Sequence, residues 1–265
     1  MATKEPMTQY AVSEENRARF ARLCDEAMLN RRSEGDGGFG TLAEKRMHAI
    51  IKRYLCPNEE FHEVGMDGTR YIADVCIGNR IFEVQTGAFY PMRKKIDYYM
   101  EKTDCTVTVV HPIALNKWVS WIDPATGEIQ PRKRSPKHEK ASDLLSEMYA
   151  FLPHLTNPRL CFRLLFIEAQ DFRMLAPKGK NRKKGSERYE RIPITLLGDQ
   201  SFSTPKDFEA FLPADLPSPF TVKTFSDCTG IRGRDAYSAV RVLTALGLLQ
   251  ETDPIGRAMA FRRVL

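Results

Sequence analysis

The chain has 265 residues, of which 42 % are hydrophobic and 28 % are charged, and its net charge is +6. These proportions are typical of a soluble globular protein. No stretch approaches the roughly 18 apolar residues that a membrane-spanning helix needs, and residues 1–10 lack the apolar core of a signal peptide. Composition therefore excludes a helical membrane protein, and we expect a cytoplasmic location and no membrane partner.

Cysteine and histidine usage gives no sign of a zinc site or a catalytic triad. The six cysteines are scattered and include no Cys-x-x-Cys pair, whereas structural zinc sites need closely spaced ligands. The five histidines have no nucleophile in a recognisable setting. Because no export signal is present, we expect the thiols to stay reduced.

Apolar periodicity and turn residues predict alternating helices and strands in the first 200 residues. In chain order they are a helix over 13–31, a helix over about 41–55, a strand over 61–64, a hairpin over 71–85, a helix over about 91–102, a strand over 105–111, a hairpin over 116–129, a helix over 141–152, a strand over 161–172 and a short apolar piece over 193–197. This order predicts an α/β fold with a mixed sheet flanked by helices.

The last part of the chain differs in character. Four prolines between residues 205 and 219 predict a boundary between a domain of residues 1–200 and a domain of residues 201–265. The second domain contains, in order, a predicted helix over 221–229, a turn at Gly230, a helix over 232–246 and two strands around 253–256. That order predicts a small winged helix-turn-helix domain.

The longer helix of this domain would enter the major groove of DNA. We expect it to expose Arg232, Arg234, Tyr237, Ser238 and Arg241. The core would take Ala236, Val240, Leu243 and Leu246. Such modules also serve as contacts between proteins, including dimer contacts, and the sequence leaves that alternative open.

The hairpin over 71–85 brings two acidic side chains together. Gly78-Asn79 is a favourable two-residue turn, and the register that it sets places Asp74 opposite Glu83. Both would project from one face, and Gln85 would share it. Like charges directly opposite destabilise a sheet, so we expect a bound cation or a shared proton between them. The alternative is that each acid faces solvent and pairs with a nearby arginine such as Arg70 or Arg80.

The pattern of Asp74, eight residues, Glu83, one residue and Gln85 resembles the catalytic signature of the PD-(D/E)XK nuclease superfamily, which includes restriction endonucleases and Holliday junction resolvases. The resemblance covers about residues 40–112 and extends to the order of helices and strands. It implies a restriction endonuclease-like core, extended by residues 113–200.

The resemblance also implies roles for single residues. Asp74 and Glu83 would bind Mg²⁺, or Mn²⁺ in its place, and Gln85 takes the position of the usual lysine. Glu44 would be the acidic residue of the preceding helix, although its place three residues after Thr41 suits a capping box as well. Because glutamine carries no positive charge, Lys94 or Lys95 could supply the missing cation from the next helix.

Basic side chains point to a polyanionic partner. Residues 178–191 hold seven basic and two acidic side chains, and residues 131–140 hold five and one. Such runs favour nucleic acid, or else form solvated loops. The side chains that we expect to contact DNA are Arg93, Lys94, Lys95, Lys180, Arg182, Lys183, Lys184, Arg232, Arg234 and Arg241.

These features together predict a magnesium-dependent endonuclease that hydrolyses DNA phosphodiester bonds, with two carboxylates holding the cation that activates water. The alternative, favoured by Gln85, is a catalytically inactive protein of the same fold that binds DNA or regulates another activity. An RNA-directed nuclease is a third hypothesis. Cleavage of both strands of a duplex would suggest a homodimer, by analogy alone.

Overall fold

A computed structural model of the protein describes residues 12–33, 43–175 and 186–264. The helices in this part of the chain are α1 (Glu14–Ser33), α2 (Ala43–Leu55), α3 (Arg93–Lys102), α4 (Asp143–Met148), α5 (Val222–Thr229) and α6 (Gly233–Ala245). The strands are β1 (His62–Gly65), β2 (Ile72–Ile77), β3 (Arg80–Val84), β4 (Thr106–Ile122), β5 (Lys133–Arg134), β6 (Leu160–Leu175), β7 (Ser186–Phe202), β8 (Phe220–Thr221), β9 (Leu249–Ile255) and β10 (Ala258–Arg263). None of the described helices is long and apolar enough to cross a membrane.

Seven strands form the main sheet, in the order β1-β2-β3-β4-β6-β7, with β5 paired to β4. The strand β4 runs parallel to β3 and β6, whereas the other neighbours are antiparallel. The predicted α/β class with a mixed sheet flanked by helices is therefore confirmed.

Helices cover both faces of the main sheet. On one face, α1 and α2 pack through a buried cluster that includes Phe20, Ile51 and Val84. On the other face, α3 and α4 pack through a second cluster that includes Ile96 and Leu145. Burial of two apolar layers is the main stabilising contribution to such a fold.

The strand predicted over 105–111 is longer in the structure than the sequence predicts. The strand predicted over 105–111 and the first arm of the hairpin predicted over 116–129 form one continuous strand, β4, which contains Pro112. The Thr106 N–H donates to the Asn79 carbonyl, on the side of β4 that faces β3. Because the backbone N–H groups of alternate residues face the same side of a strand, the nitrogen of Pro112 also faces this side. Because β3 ends at Val84, the missing N–H of Pro112 falls beyond the end of the ladder with β3, on the side of β4 opposite to β6. The proline therefore does not end the strand.

The C-terminal elements form a second, three-stranded sheet in the order β8-β10-β9, beside α5 and α6. Four side chains are buried as expected: Ala236, Val240, Leu243 and Leu246. Ser238 is 7 % exposed, so its predicted exposure is wrong. The reason is that α6 packs against α4 as well as against α5, and a second buried face cannot be read from the period of one helix.

Candidate active site

The hairpin that carries the two acids has the predicted register. Cα partners across β2 and β3 are Val75 with Phe82, Cys76 with Ile81, and Ile77 with Arg80. Gly78 adopts a φ of 60°, the left-handed conformation that a tight two-residue turn requires and that glycine adopts without strain. Asp74 and Glu83 are the next residues beyond the last paired positions, so the turn brings them close together.

Asp74 is held by a helix and by the backbone of β3. Its Oδ2 accepts a hydrogen bond of 2.7 Å from the Val84 N–H and lies 3.0 Å from His48 Nε2, on α2. Burial alone would raise the pKa of Asp74, but the hydrogen bond and charge of His48 and the Val84 N–H outweigh it and hold the pKa below its usual range. Asp74 is therefore ionised at neutral pH.

Glu83 has a different environment, because its side chain is only 3 % exposed. Its Oε2 lies 2.6 Å from Lys95 Nζ, and its Oε1 accepts a hydrogen bond of 2.8 Å from the Tyr99 hydroxyl. Burial, together with the charge of Asp74, raises the pKa of Glu83 to about 7 against the opposing effects of Lys95 and Tyr99. Glu83 is therefore protonated much more easily than Asp74.

Of the two lysines that could replace the cation missing at position 85, Lys95 is the one beside the acids. Lys95 and Tyr99 are four residues apart on α3 and so share the helix face that turns toward Glu83. Arg93 and Lys94 are exposed. The side chain of Gln85 is used locally, since its Nε2 donates to the Ala88 carbonyl.

Three further polar residues lie at this site. His48 and Lys52 are four residues apart on α2, and Lys52 Nζ lies 2.5 Å from Oε1 of Glu63, on β1. Sequence reasoning did not identify any of the three, although the four-residue spacing that starts at Glu44 was a signal. Glu44 lies in the first turn of α2, and its side chain is outside the described residues.

The ion pairs described for the two acids exclude one alternative. Asp74 pairs with His48, and Glu83 pairs with Lys95. Neither acid is a solvent-facing partner of Arg70 or Arg80, so that interpretation of the hairpin is wrong. The physical reason is that α2 approaches from one face of the sheet and α3 from the other, which covers the acids and supplies their partners.

Two arginines predicted to contact DNA from α6 make ion pairs with neighbouring C-terminal elements. Arg232 pairs with Asp227 at 3.1 Å, and Arg241 pairs with Glu251 at 2.7 Å. Arg234 is exposed at the start of α6. Four residues predicted to contact DNA lie outside the described residues: Lys180, Arg182, Lys183 and Lys184.

The donors at the site suit a hard cation. The described hydrogen bonds of Asp74 all involve Oδ2, which leaves Oδ1 for another ligand, and Glu83 brings a second carboxylate from the neighbouring strand. Carboxylate oxygens are the ligands that Mg²⁺ and Mn²⁺ prefer. Among the described residues, no group of three or more His, Cys, Asp or Glu side chains is placed to hold a metal ion.

The described elements define an α/β protein with a mixed sheet and a charged site at the end of its hairpin. The chain belongs to a family described as a domain of unknown function, DUF8091, whose model matches residues 45–203. That range contains the whole main sheet together with Asp74, Glu83 and Lys95. A search of the curated proteins found no match, and neither did a search of the solved structures.

Proposed function

We propose that this chain is a metal-dependent endonuclease that hydrolyses DNA phosphodiester bonds, with the PD-(D/E)XK arrangement and its signature lysine moved from position 85 to Lys95. The observation that carries the proposal is the 2.6 Å contact between Lys95 Nζ and Glu83 Oε2, beside an ionised Asp74. The order α2-β1-β2-β3-α3-β4 supports it, because the superfamily core resembled by the sequence has the same order.

Each residue of the site has a distinct role in this proposal. Asp74 and Glu83 would hold Mg²⁺ or Mn²⁺, which when bound lowers the pKa of a water and neutralises charge on the phosphate. The imidazole of His48 orients Asp74, as groups behind a metal ligand commonly do. Lys95 supplies positive charge where negative charge develops on the phosphate, and Tyr99 fixes the orientation of Glu83.

Cleavage of DNA tests this proposal directly. Purified protein should nick supercoiled plasmid or cut branched duplexes in Mg²⁺ or Mn²⁺ but not in EDTA, and Asp74→Asn should reduce cleavage to background because the ionised ligand is lost. DNA binding measured in EDTA should remain, since removing a negative charge does not weaken attraction to phosphate.

The matched control is Asp67→Asn, which makes the same chemical change in an exposed turn before the hairpin. We expect its cleavage rate to stay within a few-fold of the wild-type rate. If Asp74→Asn and Asp67→Asn cleave at equal rates, or if the wild type cleaves no DNA substrate, the nuclease proposal is wrong.

We also propose that residues 220–264 form a winged helix that binds DNA through α6. The sheet order β8-β10-β9 beside two helices supports this assignment. Arg234 is exposed and carries no described ion pair, whereas Arg241 is engaged by Glu251. Arg234 is therefore the better candidate for a phosphate contact.

Replacing Arg234 by alanine should weaken DNA binding several-fold. The salt slope, which is the slope of the logarithm of the binding constant against the logarithm of the salt concentration, should fall in magnitude by about one, as expected for the loss of one phosphate contact. Arg241→Ala is the control, and it should change the slope less because Glu251 already neutralises that guanidinium. Binding would be measured by fluorescence anisotropy over a range of salt concentrations. An unchanged slope in Arg234→Ala would remove α6 from the proposed interface.

One observation favours the alternative of a binding protein without nuclease activity. Lys95 and Tyr99 already occupy both carboxylate oxygens of Glu83, so a cation must share this carboxylate with them or displace them. Salt-dependent DNA binding without cleavage in any metal would support that function. Cleavage of an RNA oligonucleotide, but not of the matching DNA, would support an RNA-directed nuclease.

A further inference from the structure

A buried lysine lies beside the proposed catalytic site and has an unusual partner. Lys52 is only 8 % exposed, and its Nζ lies 2.5 Å from Glu63 Oε1. The Glu63 side chain, in contrast, is 66 % exposed. Removing the anion from a buried cation is costly, whereas an exposed carboxylate returns to water at little cost. Lys52 thus requires an anion, but Glu63 is not the only anion that could serve.

Glu63 has a strained backbone and a carboxylate with competing neighbours. Its φ is 54°, in the left-handed region where a residue other than glycine costs about 1–3 kcal/mol. Lys52 holds the pKa of Glu63 below its usual range, while the charge of Asp74 opposes that effect. The carboxylate of Glu63 is therefore attracted by Lys52 and repelled by Asp74, and the backbone that carries it is strained.

Register places this pair next to the proposed metal ligands. His62 pairs with Val75 and Val64 pairs with Ala73, so Glu63 lies directly across from Asp74. Strands in a sheet are about 4.8 Å apart, and Lys52 follows His48 by one turn of α2. A phosphate held near Asp74 would have a neighbouring phosphate oxygen within reach of Lys52.

We propose that Lys52 is a phosphate-binding residue of this site and that Glu63 occupies it in the free protein, so that nucleic acid binds by displacing Glu63. The inference rests on the proposed function for the identity of the ligand, which is a phosphate group of the nucleic-acid backbone. Glu63, Asp74 and Glu83 form a row across β1, β2 and β3. Lys52 contacts the Glu63 end of this row, and Lys95 contacts the Glu83 end.

The test is a double-mutant cycle on binding, measured in EDTA so that no strand is cut. The probe is a fluorescent DNA duplex, titrated at several salt concentrations. Glu63→Gln should tighten binding several-fold, because Lys52 is no longer occupied. Lys52→Met should weaken binding and reduce the salt slope by about one. In the Lys52→Met background, Glu63→Gln should have no further effect.

Two controls separate this mechanism from a general change of charge or fold. Glu60→Gln removes an exposed charge three residues from Glu63 and should tighten binding much less. Lys52→Arg keeps the positive charge and should keep the response to Glu63→Gln. Unfolding curves of every variant show whether a change in affinity accompanies a change in stability.

Three results would overturn the inference: no binding of DNA by the wild type, tightening by Glu63→Gln that persists without Lys52, or equal effects of Glu63→Gln and Glu60→Gln. The nuclease proposal fails separately. A protein that shows the expected cycle but never cuts DNA retains the phosphate site and loses the catalytic function.

Discussion

A Lys95→Met variant should lose both DNA cleavage and stability. Methionine keeps most of the apolar length of the side chain but leaves the Glu83 carboxylate, 3 % exposed, without its cation. Breaking a buried ion pair on one side typically costs about 3–5 kcal/mol. Loss of a charge directed at the transition state typically lowers the rate by about 10²–10³-fold. Single-turnover cleavage and urea denaturation measure the two effects.

The neighbouring Lys94 provides the control, because Lys94→Met makes the same change at an exposed position. Exposed substitutions of this kind usually change stability by no more than about 0.5 kcal/mol, and we expect cleavage within a few-fold of the wild-type rate. Lys95→Arg should recover stability better than activity, since a guanidinium keeps the charge but not the geometry of an ammonium group. Wild-type cleavage by Lys95→Met would show that this lysine does not replace the one missing at position 85.

The hairpin could be predicted from sequence because its determinants are local. A two-residue turn with glycine at a positive φ permits one register, and that register carries Asp74 and Glu83 to adjacent positions. No packing information is needed for this step. The α/β class was predictable for a similar reason, since it depends on the order of elements and not on their contacts.

The partners of the two acids could not be predicted, because each depends on how a helix is rotated on the sheet. Lys94 and Lys95 are equivalent in the sequence, and only the packing of Ile96 and Tyr99 turns Lys95 toward Glu83. His48 has no sequence signal beyond its spacing from Glu44. Ser238 illustrates the same limit, since its burial follows from contact between α6 and α4.

Basic partners relieve the electrostatic conflict between the two opposed carboxylates of the hairpin. Each acid has its own partner, His48 for Asp74 and Lys95 for Glu83. The bound cation that the sequence predicts between them stays a prediction. The two environments move the pKa values apart, to below the usual range for Asp74 and to about 7 for Glu83. Such a separation is common at catalytic sites.

The same separation predicts how stability depends on pH. In the unfolded chain Glu83 titrates near its ordinary pKa of 4.5, and in the folded protein burial raises the pKa to about 7. Between pH 4.5 and about 7, Glu83 therefore holds a proton in the folded state that it has lost in the unfolded state. The stabilisation is therefore fully present below pH 4.5 and is lost as the pH rises through about 7. At 1.36 kcal/mol per pKa unit, the loss amounts to about 3 kcal/mol.

Subtraction of a variant isolates this effect. Burial lowers the pKa of His111 in the folded protein. The free energy of unfolding therefore gains from His111 as the pH rises toward 6.5, which opposes the loss caused by Glu83. The quantity to measure is the free energy of unfolding of the wild type minus that of Glu83→Gln, in EDTA. We expect this difference to fall across the window from pH 4.5 to about 7.

Glu139 provides a control of opposite sign. Burial would raise its pKa, but Arg191, the Ala114 N–H and Lys117 hold the pKa below its usual range. Its stabilisation is present above the unfolded pKa of 4.5 and is lost as the pH falls toward the lower folded value. The free energy of unfolding of the wild type minus that of Glu139→Gln should therefore be constant between pH 4.5 and 7. This difference should shrink below pH 4.5. A flat difference for Glu83→Gln as well would mean that Glu83 remains ionised in the folded protein, held so by Lys95.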